Sequence, residues 1–154
     1  MATRATLAAI RYGYGLPVPA TSADNADAML KRLVGPDTMT REWPISGQAQ
    51  YAAIMVELRK LTQSSKDMGG EALTAKREAI TQQSQRMAQN AAIAAFARAI
   101  DSSNDLREGL VTFWADHFSV VAIHKMEGVL PFSMIEDAVR PHLGESFGDM
   151  LLAV

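Results

Sequence analysis

The chain has 154 residues, 48% of them hydrophobic and 21% charged, and a formal net charge of -2 from 15 Lys and Arg against 17 Asp and Glu. Both signs are scattered along its length, which excludes the dense basic face needed for nucleic-acid binding, and no apolar run approaches the ~20 residues that span a bilayer. Cysteine is absent, so disulfide frameworks and thiolate sites are excluded as well.

Helical punctuation starts at once. Thr3 or Thr6 can cap a first helix with Leu7 and Ile10 on its apolar side, and Gly13 and Gly15 stop it by offering left-handed conformations. Pro17 and Pro19 make Leu16 to Ala23 a loop. Asp24 or Asn25 caps a second helix that buries Ala28, Met29, Leu33 and Val34 and stops at Gly35-Pro36. Residues 35 to 47, with Trp43-Pro44, read as an ordered loop pinned through its tryptophan.

The most regular pattern follows. From Gln48 to near Lys66, Ile54, Leu58 and Leu61 recur at i, i+4 and i+7, with Met55 and Val56 alongside. Gly69-Gly70 breaks the pattern, and a run without Gly or Pro then extends from Glu71 to Ile100 with Leu73, Ile80, Met87 and Ala94 at every seventh position. These two segments predict a long antiparallel helical hairpin. Lys76, Gln83 and Asn90 spoil the second seam of a coiled coil, the stretch from Thr81 to Gln85 is polar nearly all round, and Ala91 to Ile100 is expected to be the buried end. Methionines at 29, 55, 87 and 150 fall on inward stripes and read as core filling.

Asp105 and Glu108 are spaced as a capping box for a further helix, whose expected inward stripe is Leu106, Leu110, Phe113, Trp114 and His117. Val120 to Leu130 is weakly patterned, Pro131 can open another helix and Arg140-Pro141 ends it. The last stripe, Phe147, Met150, Leu151 and Val154, stops without a cap. The expectation is an all-α, irregular helical domain over residues 1–154 with six to seven helices, forming the N-terminal portion of a longer protein. Met1 to Leu7 has no secretory leader pattern, and cytoplasm and export both remain open.

Three stretches carry a family resemblance. Leu7 to Gly15 with its Tyr-Gly-Tyr-Gly, Phe113-Trp114-Ala115-Asp116-His117-Phe118, and Glu136 to His142 followed by Phe147 to Val154 together resemble the bacterial domain of unknown function 1800 family. Val139 stands where isoleucine is commoner and Asp116 where asparagine often sits. The resemblance implies a mostly helical fold and brings no established activity and no catalytic roles.

Among candidate site residues His117 is the sharpest. On the apolar side of its helix it reads first as a hydrogen-bonded core group, and second as a ligand or general base. His142 could approach it, with Asp116 or Glu136 completing a His and carboxylate set, but no His-Glu-x-x-His spacing is present and no metal or cofactor is assigned. Trp114 and Arg140 are the binding candidates; Arg140 is better explained by pairing with helix carbonyls, Asp116 or Glu136. The Tyr12 to Gly15 run lacks dinucleotide or P-loop spacing. The leading functional expectation is a helical scaffold or interaction domain whose partner is its own C-terminal region or a second copy, engaged through Phe147, Leu151 and Val154. The alternative is the front part of a hydrolase-like enzyme with a site around His117 and His142.

Overall fold

The computed structural model describes residues 3–16, 25–64 and 70–154. The chain is all-α, with eight α-helices among those residues: α1 (Arg4–Tyr12), α2 (Ala26–Leu33), α3 (Met39–Glu42), α4 (Gln48–Gln63), α5 (Gly70–Asp101), α6 (Asp105–His117), α7 (Leu130–Met134) and α8 (Phe147–Ala153). A 3-10 turn covers Lys125–Glu127, and a π turn, Ile135–Val139, continues α7. Most of the expected proline loop, the Asp24 cap and most of the hairpin tip lie outside the described residues.

Local chemistry explains most boundaries. Thr3 caps α1 by accepting from the Thr6 amide, Asn25 caps α2 by accepting from Ala28, and Ser146 forms a capping box with Asp149 at α8. At α6 the cap is Asn104, which accepts from Arg107, and the expected Asp105–Glu108 box is not used. Glu108 is drawn inward instead. Of the two glycines expected to be left-handed, Gly15 alone has a positive φ, 69°, while a side chain at Gly13 would collide with Asp105.

The hairpin forms as expected. Ile54 and Leu61 of α4 and Ile80 of α5 are buried together, with Leu58, Leu73, Met87 and Met126 packed against them. At roughly 1.5–3 kcal/mol per buried side chain, the three central residues alone supply on the order of 5–9 kcal/mol before chain entropy is subtracted. The hairpin thus depends on this one stripe. The next buried residues along α5, Ser84, Ala91 and Ala94, are small, and a side chain at Gly128 would crowd Ala88, so the 3-10 turn rests closely on the helix. Ser84 donates to the Met126 carbonyl at 2.5 Å. A polar residue is therefore buried within the segment read as polar all round.

Other parts of the expected core differ. Residues 35 to 47 include the short helix α3, though Trp43 is pinned: its indole donates to Asp101 at 3.1 Å and its carbonyl accepts from Arg98 at 2.8 Å. Ala91 to Ile100 is two-faced, burying Ala91, Ala94 and Arg98 while leaving Ile93, Phe96 and Ile100 exposed by 62%, 73% and 63%. Met55 and Val34 face outward, and on α6 Phe113 and His117 are exposed. The inward face of α6 is Arg107, Glu108 and Val111. Ion pairing across the centre of the molecule decides that rotation, and apolar count does not.

Candidate functional site

Three arginines and three carboxylates lie between α2, α3, α5, α6 and the π turn. Arg140, the residue after the π turn, donates through Nη1 and Nη2 to the two Glu108 oxygens at 2.9 and 2.7 Å and through Nε to Asp37 at 3.0 Å. Asp37 also faces Arg107 at 3.3 Å. Arg107 in turn donates to the carbonyls of Leu33 and Gly35 at the end of α2, placing a cation where the helix dipole is negative. Arg98 forks onto Glu136 at 2.6 and 3.2 Å and ties both to the Trp43 carbonyl. The π turn, closed by the Arg140 amide on the Ile135 carbonyl at 2.9 Å, carries Glu136 into one pair and delivers Arg140 to the other.

Burial makes these pairs demanding. Arg98 is 1% exposed, Glu108 4% and Arg140 5%, so each charge needs its partner to compensate for lost hydration. Burial alone would raise the Asp37 carboxyl, but the hydrogen bond and charge of Arg140, with the charge of Arg107, outweigh it and hold the group below its ordinary 3.8. Burial would lower Arg140, yet Glu108 and Asp37 reverse the sign and raise it further above its ordinary range. Both partners stay ionised near neutrality. One polar atom, Arg107 Nε, is buried without a partner among the described residues.

The network floors a cleft of about 370 Å3 between the end of α2 and the turn from Pro141 to Glu145. Leu33, Val34 and Leu143 give it apolar walls. The cationic groups at the floor are already neutralised by carboxylates, so no free positive field is offered to an anion. Permanently charged guanidiniums also cannot exchange protons near neutrality. Chemically, the arrangement is a clamp that fixes helix positions.

The residues singled out from sequence are placed as follows. His117, Trp114, Phe118 and Phe147 form an aromatic cluster, with Trp114 to His117 edge-on at 5.4 Å and Trp114 to Phe147 stacked at 5.5 Å. His117 is exposed, as is Asp116, so the hydrogen-bonded core reading of His117 is corrected. Helix rotation by the ion pairs turns this edge outward. His142 Nδ1–H donates to the Ala138 carbonyl at 2.7 Å, and its Nε2 faces Glu145 at 3.7 Å. No ring contact, hydrogen bond or ion pair joins His117 to His142 among the described residues. No group of three or more His, Asp or Glu among them is placed to hold a metal ion. Arg140 is locked by ion pairs as expected, but its partners are Glu108 and Asp37, and Glu136 belongs to Arg98. Asp37, Arg98, Arg107 and Glu108 were not legible as a site. Only Arg98 left a trace, as the lone charge in a run of small and apolar residues.

The family model described as Protein of unknown function (DUF1800) matches residues 7–154. The chain belongs to that family. No curated protein and no solved structure matches this DUF1800 chain. No described helix is long and apolar enough to cross a membrane. Two of the stretches that carry the resemblance meet in space: Trp114 and His117 of the Phe-Trp-x-Asp-His-Phe helix pack on Phe147 of α8. The third, Tyr12 to Gly15, abuts α6, where the Tyr14 hydroxyl bonds to Thr112 and the Tyr12 carbonyl sits against Gly109. In this DUF1800 member the signature residues therefore converge on one helix.

Proposed function

We propose that this domain is a helical scaffold that acts by presenting an apolar helix face to a partner. The observation that supports the reading is the outer side of α5, where Ile93, Phe96 and Ile100 lie at i, i+3 and i+7 and are all more than 60% exposed. Residues 87 to 97 carry no charge, so a docking helix would meet an uninterrupted neutral surface. A rigid frame is what such a surface needs, and the buried arginine clamp supplies it. Because the chain lacks cysteine, Ile93→Cys and a control Gln83→Cys provide clean accessibility probes. Thiol labelling in producing cells should be at least several-fold slower at position 93 than at 83, relative to the purified protein. Equal rates at both positions would sink the scaffold reading.

A second reading is catalytic and rests on His117, whose ring is exposed beside Trp114 and Phe147 and which makes no hydrogen bond among the described residues. An imidazole so placed is open to substrate. On this reading His117→Ala abolishes a hydrolytic activity and leaves the melting temperature nearly unchanged, while on the scaffold reading it moves neither labelling nor stability by much.

A further inference from the structure

Between α6 and the 3-10 turn lies a stretch, Phe118-Ser119-Val120-Val121-Ala122-Ile123, with no charged residue and three β-branched aliphatics. Val121 and Ile123 are 79% and 81% exposed, the most exposed large aliphatics among the described residues after Leu152. Both ends are fastened. The Phe118 amide closes α6 on the Trp114 carbonyl at 2.8 Å, and the Glu127 carboxylate accepts from the amides of Ile123 and His124 at 3.0 and 3.1 Å. Between these anchors the backbone of residues 119–122 makes no hydrogen bond among the described residues. His124, at the exit, is already extended, with φ -110° and ψ 151°. A tethered, uncharged, β-branched segment with open donors and acceptors has the properties of a strand awaiting a neighbour.

We infer that residues 119–123 pair as an antiparallel two-stranded ladder with the same residues of a second copy of the chain. The choice of occupant follows from charge order. Asp116 precedes the segment and Lys125 follows it, and both are exposed. Antiparallel pairing sets the entrance of one copy beside the exit of the other, bringing Asp116 near Lys125 twice; parallel pairing would set like charges side by side. Nothing charged lies within the paired stretch, so every cross-strand neighbour is neutral. Setting Val121 opposite Val121 of the other copy centres the two-fold axis, sets Ser119 against Ile123 and Val120 against Ala122, and makes the contact reciprocal, as a closed dimer requires. A two-stranded ladder is marginal by itself, so the dimer is weak and appears only at high protein concentration. This surface is separate from the outer face of α5, and either can fail alone.

Sedimentation velocity across a concentration series tests the inference. The chain should dimerise, and Val121→Pro, which removes an amide donor from an exposed irregular segment, should abolish dimerisation while leaving the thermal melt in place. Asp116→Lys and Lys125→Asp should each weaken the dimer about tenfold, and the double exchange should restore it to within about threefold. A nitroxide on Val121→Cys should report one short inter-copy distance in the dimer. A chain that stays monomeric at all concentrations overturns the inference. So does a dimer that survives Val121→Pro but is lost with Phe96→Glu, an outcome that would leave the α5 reading standing. A double exchange that fails to restore the dimer overturns the antiparallel pairing.

Discussion

Arg140→Met removes the only cation bonded to the Glu108 carboxylate among the described residues. The two side chains are 4% and 5% exposed, so solvent cannot replace the lost partner. Truncating one member of a buried pair costs about 3–5 kcal/mol, mostly from the charge left unpaired. Asp37 keeps Arg107 at 3.3 Å, so the loss should fall mainly on Glu108. For a domain of this size each kcal/mol lowers the melting temperature by roughly 2–4 °C, so a fall of about 10 °C is expected by calorimetry. Arg140→Met with Glu108→Leu removes the stranded charge and should recover at least about 2 kcal/mol relative to the single variant. A single-variant cost below about 1 kcal/mol, the value of a surface ion pair, would refute the claim that this pair is desolvated and holds α6 against the π turn.

Three further outcomes follow from other contacts. Because Asp37 is held below its unfolded value of 3.8, it contributes stability that is fully present above that pH and is lost as pH falls through the lower folded value. Urea midpoints should therefore decline steeply below about pH 4, and Asp37→Asn should flatten that decline. Gly109→Ala should destabilise by about 1–3 kcal/mol, against the small gain expected from helix propensity, because its methyl would drive into the Tyr12 carbonyl; proteolysis within α1 should accelerate together with the fall in melting temperature. Ser84→Ala leaves the Met126 carbonyl without its donor at a fully buried position and should cost about 1–3 kcal/mol by denaturant unfolding, with protection lost first in the 3-10 turn.

The candidate site was only half legible. Arg140 could be identified as a lock because arginine before proline at a helix end has few alternatives, yet its true partners, Glu108 and Asp37, lie 32 and 103 positions away. Nothing local marks them. Glu108 even resembled a capping residue, since the i+3 spacing of a capping box and the inward side of a helix can fall on the same position. His117 was misplaced for the complementary reason: its stripe with Phe113 and Trp114 is apolar, but the helix turned to bury charge.

What local chemistry determined here is most of the helices and several of their ends, the short α3 within the expected loop of residues 35 to 47 excepted. Caps, glycines, prolines and the periodic stripe of α4 and α5 act over one to seven residues, so they are written in the order of the chain. Which side of α5 and α6 faces inward was settled by long-range pairing of Arg98 with Glu136 and Arg140 with Glu108, because an ionised group enters the interior only where a distant partner of opposite charge meets it.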